Sequence, residues 1–124
     1  MFNINEDMTI ECTRGDAAMF TVGAKVGGVP YTFRNGDVVR FSVCAKKNYS
    51  DVVLQKDTVV EFETEVVEIH LESKDTKFGE GINKATEYWY EVELNPDTYP
   101  QTIIGHTKDG AKVLMLYPEG NKEG

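Results

Sequence analysis

Cations are scarce in this chain of 124 residues: thirteen Lys and Arg stand against twenty-one Asp and Glu, a formal net charge of −8. Nucleic-acid binding needs clustered cations to neutralise phosphates, so that class is excluded, and attachment to an anionic membrane surface is disfavoured for the same reason. Long apolar runs are also missing. None approaches the roughly 20 residues that a membrane helix needs. The opening MFNINEDMTI is acidic and has no apolar signal core, so the expectation is a chain made in a cytoplasm. Cysteine is limited to Cys12 and Cys44, neither in a C-x-x-C setting. A chain of this length buries a sufficient core without a disulfide, and both are read as free thiols. Helical periodicity is almost absent too, which leaves the strand as the main regular element, apart from a helical turn that Asp75 is able to start in the polar stretch Ser73 to Ala85.

What is present is alternation with period two. Ile10 and Cys12 share one face of a short first strand. Phe20, Val22, Ala24 and Val26 alternate with Thr21, Gly23 and Lys25 until Gly27-Gly28 and Pro30 break the run. After the turn signal Asn35-Gly36-Asp37, Val39, Phe41, Val43 and Ala45 alternate with Arg40, Ser42 and Cys44. A weaker run follows at Val52-Val53-Leu54. Between Val59 and Glu72 the apolar parity changes, from Val60 and Phe62 to Val67, Ile69 and Leu71, so one straight strand cannot serve. A turn near Glu63 to Val66, dividing the stretch into two strands, is favoured over a bulge. Tyr88, Tyr90, Val92 and Leu94 then point inward while Glu87, Trp89, Glu91 and Glu93 point outward. Thr102-Ile103-Ile104, an Asp109-Gly110 turn and the alternation Val113, Met115, Tyr117 complete the chain. Seven to nine short strands in one domain over residues 1–124 are expected to form an antiparallel β-sandwich, with flexible ends at 1–7 and 119–124. The expected core is Phe20, Val22, Phe41, Val43, Ile69, Leu71, Tyr88, Tyr90, Val92 and Leu94.

Candidate chemistry is thin. Arg14-Gly15-Asp16 matches the loop tripeptide that integrins bind, but a Gly-centred turn between strands explains it more economically. His70 lies between Glu68 and Glu72 at strand spacing, a pattern that could hold a metal ion, and the other histidine, His106, falls in a different loop. A solvated face is the simpler reading, and neither a metal nor a cofactor is expected. None of Ser42, Ser50 and Ser73 sits in a G-x-S-x-G setting, and a small sandwich offers little structure around a carboxylate pair, so no catalysis is expected. The acids are unevenly placed. Asp57, Glu61, Glu63, Glu65, Glu68 and Glu72 share a stretch with no Lys or Arg, as do Glu87, Glu91, Glu93 and Asp97. Such strips serve either as solvated faces that prevent edge pairing or as contacts for a basic partner. Trp89 shares the outward parity of Glu91 and Glu93, and these three are the candidate interface residues.

Taken in order, several segments resemble the N-terminal domain of phage baseplate upper proteins and related short prophage structural proteins of Gram-positive bacteria. They are Thr13-Arg14-Gly15-Asp16 with Phe20 and Val22, Pro30-Tyr31, Gly36 through Val43, Leu54-Gln55-Lys56, Ile69-His70-Leu71, Asp75-Thr76, Tyr88 through Leu94, and Thr102-Ile103-Ile104. Together they span about residues 9 to 105. The resemblance implies an immunoglobulin-like sandwich in a virion tail or baseplate, docking to other tail and baseplate proteins and made in the bacterial host cytoplasm. A homo-oligomer is compatible with that role. Longer members carry a C-terminal extension toward the host-recognition apparatus; a chain ending at Gly124 is expected instead as a stand-alone accessory piece. The resemblance also suggests a corner in which Asp75 pairs with Tyr88-x-Tyr90. The competing reading is a free-standing carbohydrate-binding sandwich, which predicts exposed aromatics gathered on one face or one loop end.

Overall fold

Alternating side chains dictate strands, and the computed structural model, which describes residues 1–105 and 110–119, forms eleven among those residues. They are β1 (Phe2–Ile4), β2 (Ile10–Thr13), β3 (Ala18–Val22), β4 (Lys25–Val26), β5 (Val29–Pro30) and β6 (Val38–Cys44), followed by β7 (Val52–Val59), β8 (Val67–Leu71), β9 (Thr86–Leu94), β10 (Gln101–Ile104) and β11 (Lys112–Tyr117). A single 3-10 turn, Ser73–Thr76, separates β8 from β9. The large sheet runs β1-β2-β11-β9-β6-β7, and β10 pairs with β9 beyond the end of β11. β3 and β8 form a second, two-stranded layer, and β4 and β5 a small hairpin about Gly27-Gly28.

The fold is an all-β, immunoglobulin-like sandwich. The strand order β11-β9-β6-β7 corresponds to the G-F-C-C′ row of a variable-type domain, and β3-β8 to its B-E pair. Three details differ from the sequence expectation. The strands outnumber the expected seven to nine because three-residue and two-residue pieces flank the main ones. The sheet is mixed, since β2 runs parallel to β11. The stretch 1–7, expected as a flexible end, carries β1, which pairs antiparallel with β2. Asp109 of the expected Asp109-Gly110 turn, His106 and the tail 120–124 lie outside the described residues.

Every residue of the expected core is buried, between the inner face of the large sheet and the β3–β8 layer. Immunoglobulin domains join strands B and F by a disulfide packed on a strand C tryptophan. Here rings occupy that route. Phe20 on β3 meets Phe41 on β6 edge-on at 5.2 Å between centroids, and Phe41 meets Tyr90 on β9 at 5.8 Å. Each such ring, fully buried, stabilises the fold by about 1.5–3 kcal/mol, with up to about 1.5 kcal/mol more from ring geometry. Tyr90 keeps its hydroxyl satisfied by donating to the Met8 carbonyl. Both thiols are free and buried, Cys12 toward the core and Cys44 on the opposite face of the sheet. Three strand spacings, about 14 Å, separate β2 from β6, twice the limit of about 7 Å for a disulfide. Burial pushes the Cys12 thiol up to about 11.

Parity misleads on β11, where Leu114 and Leu116 are the buried pair and Val113, Met115 and Tyr117 lie half-exposed. The parity change after Val59 does not split the stretch into two strands as expected: β7 ends at Val59, Val60 to Val66 form no strand, and only Val67–Leu71, β8, is one. The connection is longer than a tight turn and is pinned by a bridge between Phe33 and Thr64. The segment between β8 and β9 tucks under Tyr88, but through Phe78, whose ring meets it edge-on at 4.9 Å. Asp75 does not pair with the tyrosine; it accepts from Lys56 Nζ at 2.9 Å and from the Glu72 N–H at 2.8 Å, closing the 3-10 turn.

Gly79 sits where this segment crosses the core. Its φ is +74°, and a Cβ there would lie 2.7 Å from the Tyr88 hydroxyl and 2.9 Å from Leu116 Cδ2. Gly81 shares the left-handed backbone, φ +80°, with nothing within 4 Å. Urea denaturation is expected to show Gly81→Ala costing about 1 kcal/mol from backbone strain alone, and Gly79→Ala about 2–4 kcal/mol because overpacking adds to it. Equal costs would show that the close approach at Gly79 is absent.

Candidate functional site

Strand alternation turns every second residue of β9 away from the core, which gathers Trp89, Glu91 and Glu93 on the outer face, spaced about 7 Å apart. β9 lies inside the sheet, with β6 on one side and β11 and β10 on the other, so these side chains are half-buried rather than freely solvated. The register sets Cys44 opposite Trp89, Ser42 opposite Glu91 and Arg40 opposite Glu93. Val113 stands opposite Trp89 from β11, and Thr102 opposite Glu93 from β10. The three expected interface residues thus share one continuous strip.

Arg40 organises one end of that strip. Its Nε and Nη2 donate to Asp57 at 2.7 and 3.0 Å, and its Nη1 and Nη2 to Asp97 at 3.3 and 3.0 Å. One guanidinium therefore ties β7 to the turn after β9, and the bonds to Asp57, then Asp97, hold it more firmly charged than usual. Asn95, at φ +49°, locks the same turn by accepting from the Val38 N–H at 2.9 Å. Glu91 is in the opposite state: burial, and then the like charge of Glu93, push its pKa above the usual carboxylate value.

Sequence reading places Asp57 and Asp97 in the acidic strips and gives Arg40 no role, although an arginine at an outward position between acidic strands is the available signal. Tyr49 left none. It lies in the polar turn between β6 and β7, at φ +63°, and its hydroxyl is buried beside the Lys112 backbone without reaching hydrogen-bond geometry.

The other candidates resolve locally. Arg14-Gly15-Asp16 is a turn tied into the protein: Arg14 donates to the Phe78 and Lys77 carbonyls at 3.0 and 2.7 Å, and the Gly15 N–H to Thr76 Oγ1 at 3.0 Å. Asp16 pairs with the terminal amine of Met1. His70 lies 3.2 Å from Glu68 on an exposed face. Among the described residues no group of three or more His, Cys, Asp or Glu is placed to hold a metal ion, and His106 lies outside them. No helix among them is long and apolar enough to cross a membrane. Comparison with protein-family models, curated proteins and solved structures found no match.

The raised Glu91 pKa has a definite sign. The folded state holds this proton more tightly than the unfolded chain, so ionised Glu91 lowers stability at neutral pH, and the loss disappears as pH falls through the ordinary glutamate range. Glu91→Gln is expected to raise the melting temperature at neutral pH and to lose that advantage below about pH 4. A variant less stable than the parent at neutral pH would contradict this account.

Proposed function

We propose that this chain is a phage or prophage structural protein, a tail or baseplate component that acts by docking to neighbouring subunits through the outer strip of β9. The observation that carries the docking part is the electrostatic state of that strip. Glu91 and Glu93 hold like charges on one strand face, partly out of water, beside the half-buried ring of Trp89. Like charges packed this way destabilise the free chain, and a basic surface laid over them converts the penalty into binding energy. Trp89 supplies the broad apolar contact on which such interfaces concentrate their energy. The virion assignment rests on the ordered resemblance between residues 9 and 105. The immunoglobulin-like frame is compatible with it and with many other roles.

No step of chemistry is required of such a part. Its mechanism is the presentation of a rigid face: the strip is carried on the strand most surrounded by partners in the sheet, so little conformational freedom remains to be lost on docking.

Mass spectrometry of tail particles released from the source strain after prophage induction is expected to find this chain at a fixed ratio to the other tail proteins. A chain carrying Trp89→Ala with Glu91→Lys, folded by circular dichroism, is expected to be depleted from particles at least about tenfold. If the parent chain is abundant in the lysate and absent from particles, the virion reading is lost. If the double variant enters particles normally, the β9 strip is not the docking face.

A further inference from the structure

The β3–β8 layer presents a second surface, on the opposite side of the sandwich from the β9 strip. There a groove of about 450 Å³ runs between β8 and the segment that links it to β7. Its apolar members are unusually open: Val59 is 59% exposed, Phe62 70% and Val66 52%. Solvated apolar side chains clustered on a small domain mark a binding surface more often than chance exposure. The charge around them has one sign. Glu61 and Glu68 line the groove, Glu63 and Glu65 are exposed in the same connection, and no Lys or Arg occurs from Asp57 to Glu72. His70, beside Glu68, is the one basic side chain of the lining.

The backbone adds a third feature. β8 is paired with β3 on one edge only, and among the described residues no backbone group of Val67–Leu71 bonds to any other segment. A strand edge without a partner is a template for an added strand, and natural sheets that leave one open usually guard it with charge. Here the charge is entirely acidic. It repels a second copy of this net −8 chain and attracts a basic one.

We propose that this groove is a docking site for an extended, Lys- and Arg-bearing segment of another protein, laid along β8 as an added strand with alternate apolar side chains over Val59, Phe62 and Val66. Main-chain bonds to the β8 edge supply affinity without regard to sequence. The apolar floor selects one parity of the incoming segment, and the acidic rim selects the charge of the other. The site shares with the virion reading only the idea that this chain is a binding platform. It is tested on the isolated chain, so each can fail without the other.

The probe is a labelled synthetic peptide of about ten residues, the upper end of ordinary strand length, alternating lysine and valine. Glutamate–valine and lysine–serine peptides of equal length serve as controls. Fluorescence anisotropy against the full chain is expected to show binding of the lysine–valine peptide at least about tenfold tighter than either control, because each control lacks one of the two selecting features. Phe62→Ser with Val66→Ser, both at exposed positions, is expected to weaken it at least about tenfold. Tyr99→Ser, at an equally exposed aromatic in the turn before β10, is expected to leave binding unchanged. Hydrogen exchange should slow at amides of β8 on binding. Equal affinity for the lysine–serine peptide, full affinity in the double variant, or protection confined to other strands would overturn the proposal. So would sedimentation showing that the groove is closed by a second copy.

Discussion

The whole arrangement depends on covering one face of a broad sheet with very little material. Six strands in a row, with β10 beside β9, expose an apolar inner surface that β3 and β8 overlie, with Phe33 and Val60 from the connections adding to the cover. Two short strands can do this because most of their inward positions carry large, buried side chains. Phe20 and Val22 come from β3, Val67, Ile69 and Leu71 from β8, and all five are buried. Phe2 widens the cover from β1, stacking on Phe20 at 5.4 Å. The route from Phe20 through Phe41 to Tyr90 joins the layers where related architectures place a covalent bond. Ring packing is undirected beside a disulfide, so the register must be fixed elsewhere. It is fixed at the margins, by the Arg14 bonds to the Phe78 and Lys77 carbonyls and by the Lys56–Asp75 pair.

The net charge of −8 takes two physical forms in the fold. Around Arg40 it is half neutralised, since Asp57 and Asp97 share one guanidinium that holds β7 to the turn after β9. Along β9, Glu91 is instead driven toward its neutral state by burial and by Glu93. Around the β7–β8 connection the acids are solvated, beside open apolar side chains. Bulk composition gives only the total, and the strand register separates a clasped carboxylate from a desolvated one and both from a solvated one. These distinctions, rather than the total, bear on what each surface attracts.

Much of the fold is legible in the sequence because burial on β3, β8 and β9 follows period two without interruption. The inward sets there are those that alternation selects, and Trp89, Glu91 and Glu93 share a face for the same reason. Legibility fails where both faces of a strand are covered. On β6, Ser42 and Cys44 are buried as deeply as Val43, so polarity no longer reports direction. On β11 both parities are apolar, and only its position between β2 and β9 makes Leu114 and Leu116 the inner pair. Long-range choices are silent as well. Nothing local in Asp75 says that it will meet Lys56 rather than a tyrosine, and nothing in Asn48 to Asp51 says that Tyr49 will turn back onto the sheet. The groove combines both cases: the parity change at Val59–Val67 announces an interruption, while the open edge beside it depends on which strands pair elsewhere.

The parallel pairing of β2 with β11 joins residues about a hundred positions apart, and Arg14 and Tyr117 are bonded at its end. Contacts so distant along the chain close the largest loop available to it and are entropically the last to form. During synthesis the strands from β3 to β9 can collapse while β1 and β2 still wait for their partner to emerge. The early hairpin of β1 and β2 then lacks its parallel partner, and the emergence of β11 is what completes its pairing. Stability in this protein is thus accompanied by a timing constraint: its first strands are among the last to acquire a home.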